Sequence, residues 1–173
     1  MNSRLTNLTA QARVPTPLGE MTMATTERGV AGLWFDDQAH HPGTLTVCSD
    51  ANHPHLLQMR RWLDDYWQQG VSDLTVPLDL LGTAFQQQVW QALLTLVPGT
   101  TSTYGALAER VGSPRASRAV GAAVGRNPVS ILVPCHRVVG QDGTLTGYAG
   151  GLPRKQFLLA LEARTQPTKA SLF

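Results

Sequence analysis

The stretch "TSTYGALAERVGSPRASRAVGAAVGRNP", residues 101–128, decides how the chain is read. Thr103 is placed to cap a first short helix running to about Arg110, and Val111-Gly112 breaks it. Ser113 is expected to cap a second helix with Pro114 at its first position, where proline is favoured. Two short helices around a tight turn have the size and rhythm of a helix-turn-helix. The second helix carries almost no side chains: Ala116, Ser117, Ala119, Gly121, Ala122 and Ala123 are all small, and Arg115 and Arg118 project from it. Small residues let a helix backbone approach another surface closely, either a neighbouring helix or a nucleic-acid groove. A helix that reads bases usually carries several Asn, Gln, Arg or Lys side chains at base-facing positions. This one has few, so any docking on nucleic acid is expected to be indifferent to sequence.

Charge sharpens that expectation. Residues 1–99 carry five Arg and nine acids, net −4, whereas residues 100–173 carry seven Arg, two Lys and three acids, net +6. Between Arg110 and Arg137 there are five arginines and no acid. A positive block on one half of a chain whose total is only +2 favours a polyanionic partner, DNA or RNA. The 173 residues suffice for one large domain or two small ones, and 42% apolar with 15% charged residues describes an ordinary globular protein. No apolar run is long enough to span a bilayer, and Met1 to Arg13 lacks the apolar core of a signal peptide, so a cytoplasmic or nucleoid-associated protein is expected. The two cysteines, Cys48 and Cys135, are expected as free thiols. His40, His41, His53 and His55 read as a solvated loop rather than a metal site.

Outward from the helix pair, residues 14–50 read as β structure. "EMTMAT" (20–25) and "GVAGLWF" (29–35) are strands joined at Glu27-Arg28-Gly29, Thr16 to Gly19 is a turn, and Cys48 alternates like a buried strand residue. Residues 54–69 are expected as an amphipathic helix with Leu56, Met59, Leu63 and Tyr66 on one stripe, stopped by Gly70. The stretch 72–82 reads as a linker with one short strand, dividing the chain into domains 1–80 and 81–173. Thr83-Ala84-Phe85-Gln86 fits a capping box for a helix whose stripe is Phe85, Val89, Leu93 and Leu96 and which ends at Pro98-Gly99. A last helix, about 154–164, should turn Phe157, Leu158 and Leu161 inward, with Glu162 on the side of Leu158; the tail from Thr165 reads as frayed. The fold class is α+β.

"ILVPCHRVVG", residues 131–140, reads as a buried strand interrupted by Pro134-Cys135-His136-Arg137. Cysteine reacts as the thiolate and needs help to ionise. His136 is adjacent, but neighbours in a strand point to opposite faces, so the pair needs a turn at Pro134 or a bridging water. A carboxylate should orient the imidazole. The acids after residue 100 are Glu109, Asp142 and Glu162, of which Glu162, on a rigid helix, is preferred. The bland alternative is a buried strand cysteine followed by a surface His-Arg pair.

Six segments in order, "FQQQVWQAL" (85–93), "TYG" (103–105), "RAVGAA" (118–123), "RNP" (126–128), "PCHRV" (134–138) and "GYAGG" (147–151), resemble the O6-alkylguanine-DNA alkyltransferases. The likeness covers residues 83–165 strongly and the rest in general character. It implies a ribonuclease H-like N-terminal α/β domain with a small antiparallel sheet, and a mainly helical, winged-helix-like C-terminal domain carrying the active-site cysteine. It implies irreversible, single-turnover transfer of an alkyl group from guanine O6 to Cys135, with thymine O4 left open as a further alkyl donor, and with no cofactor and no metal. His136 would act as base through a water and Glu162 would hold its other nitrogen. The partner would be double-stranded DNA, bound from the minor groove without sequence preference. Arg118 would replace the flipped nucleotide in the stack, with Arg115, Ala116, Ser117 and Arg126 also binding the DNA. Tyr104 would crowd the 3′ phosphate and protonate guanine N3, and Asn127 would be the hinge to the cysteine loop. Tyr148, Ala149, Gly150, Val138 and Ser130 would form the base pocket. The protein would be monomeric in solution; cooperativity on DNA stays open. Two positions depart from some relatives: Ala149 offers no hydroxyl to O6, and Ser130 stands where a proline occurs. The cysteine ligands of zinc-binding relatives are missing. Competing readings are a non-catalytic sensor of alkylated DNA and a Cys-His-Glu hydrolase.

Overall fold

Small and apolar side chains alternate with polar ones from residue 10 onward, and in the computed structural model, which describes residues 5 and 7–164, they build an antiparallel meander. Its strands are β1 (Ala10–Thr16), β2 (Gly19–Thr25) and β3 (Val30–Phe35). The β1–β2 register runs from Ala10 opposite Thr25 to Thr16 opposite Gly19. Two residues, Pro17 and Leu18, are therefore left for the turn, and Gly19 leaves it at φ +112°. The sheet starts four residues earlier than the sequence suggested, because Ala10 and Ala12 mark the inward face too weakly to read as a strand.

The outer edge of β3 is covered in two places. Val30 N–H donates to Pro77 O and Asp79 N–H to Val30 O; further along, Leu33 N–H donates to Pro128 O and Ser130 N–H to Leu33 O. Covering an edge strand removes a row of unpaired backbone groups. Here it also docks residues 128–130, just before the cysteine loop, onto the N-terminal sheet.

Cys48 is exposed, contrary to the strand reading. The segment 44–50 touches β1 at a single bridge, Gln11 with Ser49. The carbonyls of Leu45 and Val47 are taken by the Gln11 side chain instead of a ladder, so the alternation buries nothing at Cys48.

Helix α1 (Pro54–Gln69) lies across the sheet with Leu56, Met59, Trp62, Leu63 and Tyr66 buried. His53 caps its start, and Gly70, left-handed at φ +73°, donates to Tyr66 O at 2.7 Å and ends it. The expected strand in 72–82 reduces to the bridge between Leu78 and Val30. Helix α2 (Ala84–Leu94) opens with the capping box of Thr83 and Gln86, and Trp90 donates from its indole to Ala123 O at 2.9 Å.

Strand β4 (Ser102–Thr103) leads into α3 (Tyr104–Arg110), capped by Thr103 as expected. Helix α4 spans Ser117–Gly125 and begins three residues later than the Ser113-Pro114 signal implied. Residues 113–116 form a turn closed by Ala116 N–H to Ser113 O at 2.8 Å. Proline suits the second position of such a turn as well as the first of a helix, which is why the signal misled. Arg115 therefore precedes the helix and Ala116 is its uncapped N-cap. Strand β5 (Val138–Val139) pairs in parallel with β4, tying the start of α3 to the residues after the cysteine.

Helix α5 (Leu152–Ala163) buries Lys155, Leu158, Leu161 and Glu162. Phe157 is 44% exposed, not inward: positions 155, 158 and 162 form the stripe, and 157 lies off it. The tail from Thr165 is outside the described residues. Among those described, no helix is long and apolar enough to cross a membrane.

Candidate active site

The cysteine is delivered by two consecutive γ-turns, not by a strand. Leu132 N–H donates to Ser130 O across Ile131, which sits at φ +72°. Cys135 N–H donates to Val133 O across Pro134, at φ −81° and ψ 63°, the inverse γ-turn conformation. Residues 135–137 then form one 3-10 turn, closed by Val138 N–H to Cys135 O. The run reads as a strand because Ile131 and Val133 are buried, and burial alone cannot separate a core strand from a core turn. The turn required at Pro134 is present. Asn127 fixes the loop: its amide nitrogen donates to Val133 O at 2.7 Å and to Cys135 Sγ at 3.1 Å, and its oxygen accepts from Val129 N–H at 3.0 Å.

His136 is fully buried and its Nε2 lies 2.7 Å from Glu162 Oε1. Burial by itself would raise the Glu162 pKa, but the bonds from His136 and Arg137 together outweigh it and hold the carboxyl at about 2. Glu162 is thus an anion, so Nε2 carries the proton and Nδ1 presents a lone pair. Nδ1 finds no protein partner among the described residues. Burial pushes the His136 pKa below its usual value despite Glu162, so the imidazole is neutral and able to accept a proton. Burial also raises the Cys135 thiol, with Asn127 and Lys155 pulling it partly back. The resting sulfur is therefore protonated and depends on a base.

Arg137 is buried, which removes the surface His-Arg alternative. Its Nε and Nη2 each reach Glu162 at 2.8 Å, and Nη1 donates to Leu96 O. Glu162 also accepts from the Tyr66 hydroxyl at 2.8 Å and from Gly99 N–H at 3.1 Å. Of the three acids weighed, Glu162 is the one at His136. Asp142 is in an exposed turn bonded to Thr144, and Glu109 is exposed on α3.

A cavity of about 230 Å³ is lined by Cys135, Tyr104, Tyr148, Ala149, Gly147, the α4 residues Gly121, Val124 and Gly125, and also Ala39 and His40. The other expected pocket residues stand behind this wall. Val138 is fully buried, with its carbonyl 2.6 Å from Lys155 Nζ. Ser130 is buried and donates to Gln38 Oε1 at 3.0 Å. Gly150 leaves room for the wall: a Cβ there would stand 2.8 Å from the Tyr148 ring and 3.0 Å from Phe35.

Sequence reasoning missed several of these residues. Lys155, in the run "RKQFLL", looks like a surface residue, yet it is fully buried and its ammonium donates to the carbonyls of Val138, Thr146 and Gly147, joining the turn after Cys135 to the loop of Tyr148. His40, at φ +62°, reads from sequence as part of a solvated loop; Ala39 N–H donating to Ala149 O at 2.8 Å brings that loop to the cavity. Neither has a local sequence signal. Tyr66 reads as core from its helical spacing, and its hydroxyl reaches Glu162 as well.

On the outer side, Arg115, Arg118, Ala119, Ala122 and Arg126 are exposed, Ala116 and Ser117 partly so, while Val120, Ala123 and Val124 face inward. Helix α4 thus presents a small-residue face framed by arginines, and its adjoining face, Gly121 and Gly125, lines the cavity. A nucleophile with a hydrogen-bonded base lies in an apolar cavity beside a basic surface. Such an arrangement suits attack by sulfur on a carbon presented by a polyanion.

Two family models match: "6-O-methylguanine DNA methyltransferase, ribonuclease-like domain" over residues 11–80 and "6-O-methylguanine DNA methyltransferase, DNA binding domain" over residues 84–164. A methylated-DNA–protein-cysteine methyltransferase of Mycolicibacterium paratuberculosis is 42% identical over 160 residues, covering 92% of this chain and 96% of that protein. A crystal structure of the Mycobacterium tuberculosis O6-methylguanine methyltransferase superposes with a TM-score of 0.82 at 40% identity, covering 95% of this chain and 98% of that one. The Mycobacterium tuberculosis OGT crystallised in complex with DNA gives 0.80 at 40% identity, covering 92% and 96%.

Proposed function

Because the chain belongs to the 6-O-methylguanine DNA methyltransferase family, we propose that it repairs DNA by moving an alkyl group from guanine O6 to Cys135, once per molecule. The observation that carries this reading is Cys135 itself: it stands in the cavity wall, held by Asn127 and backed by His136 and Glu162, next to the arginine-framed face of α4. Residues 81–173 supply the chemistry and residues 1–80 support it.

Double-stranded DNA lies along α4 from the minor groove. The exposed Ala119 and Ala122 permit close approach, and Arg115 and Arg126 meet the phosphates. A base inside the stack is out of reach of a buried sulfur, so the nucleotide is flipped into the cavity and Arg118 fills the gap. Tyr148 walls the base and the Ala149 N–H faces O6, while Val138 and Ser130 back the pocket, Val138 held by Lys155 and Ser130 by Gln38. His136 Nδ1 takes the thiol proton through a water, Glu162 stabilises the imidazolium, and the sulfur attacks the alkyl carbon. The S–C bond forms as the C–O6 bond breaks. Tyr104 gives guanine N3 a proton, so the base leaves neutral. The thioether has no route back to the thiol.

The test is to mix the protein with a duplex oligonucleotide containing O6-methylguanine, measure the intact mass and map the modified peptide. One methyl per molecule on Cys135, without turnover, is expected, and Cys135→Ser should bind the duplex without gaining mass. Tight binding with unmodified Cys135 would instead identify a sensor.

A further inference from the structure

We propose that Tyr66, from the N-terminal unit, is a positioning residue of the transfer reaction, setting the basicity of His136 through the carboxylate the two share. This rests on the alkyl-transfer reading above and adds to it a chemical task for residues that otherwise only support the C-terminal part. The Tyr66 hydroxyl donates to Glu162 Oε1 at 2.8 Å, and that same oxygen accepts from His136 Nε2 at 2.7 Å and from Arg137 Nη2 at 2.8 Å. Tyr66 and Glu162 are 96 residues apart, and all four side chains are buried.

The phenol is aimed rather than loosely packed. Its ring is stacked on Trp62 at 5.1 Å and meets Trp67 edge-on at 5.5 Å. Its own carbonyl receives the Gly70 N–H that terminates α1, so the backbone at the end of the helix is pinned as well. Burial, and then the Glu162 charge, raise the phenol pKa far above its usual value, so it stays a donor throughout the working range.

Donors on one carboxylate oxygen share its charge. Each added donor makes the oxygen a weaker acceptor for the others. With Tyr66 in place, Glu162 supports the imidazolium less, and His136 stays neutral to lower pH. The other charged or titratable groups facing this cluster are Arg137 and Cys135 on the turn, Lys155 on α5 and Tyr148 on the pocket loop; the Gly99 N–H also reaches Glu162. None of them approaches Oε1 from α1. Among the described residues, the Tyr66 hydroxyl is the α1 group that reaches this oxygen.

Tyr66→Phe removes that hydroxyl and nothing else. Two or three hydrogen bonds take a carboxylate from about 4 to below 2, a little under one unit each, and the imidazole should receive about half of one such change. The acid limb of the transfer rate against pH should then move up by about half a unit, a roughly threefold slower rate at a fixed pH on that limb. The His136 Nε2–H proton resonance should move downfield as its bond to Glu162 strengthens. Leu63→Val, a mild loosening on the same helix, should lower the melting temperature and move neither readout. If Tyr66→Phe leaves both the limb and the resonance where they are in the wild type, the proposal is overturned. Should that variant not fold, 3-fluorotyrosine installed at position 66 supplies a stronger donor of nearly the same size. The limb and resonance should then shift the opposite way, and no shift overturns the proposal equally. Failure of the wild-type protein to methylate Cys135 would sink the alkyl-transfer reading instead, and the resonance would still report on Tyr66.

Discussion

Replacing Glu162 by glutamine keeps the shape of the relay and reverses part of its hydrogen bonding. Oε1 accepts from Tyr66, His136 and Arg137 Nη2, and Oε2 from Arg137 Nε and Gly99 N–H. A glutamine has one oxygen and an NH2 group that only donates. With its oxygen in the Oε1 place, Arg137 Nε and Gly99 N–H face a donor; with the amide turned over, Tyr66, His136 and Arg137 Nη2 do. At least two donors lose their acceptor, the buried Arg137 Nε and the half-buried Gly99 N–H in the milder case, at about 1–3 kcal/mol each. The Arg137 guanidinium also loses its counter-charge while buried, a change worth about 3–5 kcal/mol that overlaps with the first. A net loss of about 4 kcal/mol is expected. With a urea slope of roughly 2 kcal/mol per molar, the unfolding midpoint should fall by about 2 M. Most single domains hold about 5–15 kcal/mol in total, so the variant should remain folded in buffer but close to the edge.

The second arm separates the charge from the packing. In the double variant Glu162→Gln with Arg137→Met, no guanidinium is left uncompensated, and the apolar side chain fills similar space. The double variant should be more stable than the sum of the two single changes by about 2 kcal/mol or more, the coupling measured by a double-mutant cycle in urea. Loss of the base's partner should also slow alkyl transfer by about 10²–10⁴-fold at a temperature where the variant is folded. A midpoint shift below about 0.5 M, or strict additivity in the cycle, would refute the view that Glu162 is the anion holding this cluster together.

Arg118→Ala should slow transfer from duplex DNA by about 10–100-fold, in line with the few kcal/mol that flipping a base costs, and leave transfer from the free O6-methylguanine base unchanged; equal rates on duplex for variant and wild type would remove Arg118 from the flipping step. Stability should fall on acidification in two stages. His136 titrates below its unfolded value of 6.5, so beneath pH 6.5 the unfolded chain binds one more proton than the folded one, and stability drops by at most about 1.4 kcal/mol per pH unit. Glu162, at about 2 against 4.5 when unfolded, adds a second proton to that difference as pH falls from 4.5 toward 2; urea midpoints taken between pH 8 and pH 4 check the slope, and a flat profile would contradict a buried neutral His136.

What the sequence disclosed, and what it hid, follows from how local each signal is. The caps at Thr83 and Thr103 act within three residues, and both are where the side-chain chemistry put them. The pairing of His136 with Glu162 spans 26 residues but was legible by elimination, since only three acids follow residue 100 and one of them shares a helix face with Leu158. Arg137 and Lys155 were not legible, because a long cationic side chain is normally solvated and its burial depends on acceptors gathered from elsewhere: Leu96 O and Glu162 for one, and the carbonyls at 138, 146 and 147 for the other.

The deepest miss is Ile131. A β-branched residue at φ +72° breaks the local rule that reserves such backbone for glycine, so no propensity could have proposed a γ-turn inside an apolar run. Strain of this kind persists only where the surroundings over-determine it. Here they do: Ser130 is pinned to Leu33 on one side of the turn, Val133 O is held by Asn127 on the other, and the product of the bend is a cysteine brought to the cavity wall with His136 following in the same turn. The site departs from local preference at the point where a regular strand would have sent Cys135 and His136 to opposite faces.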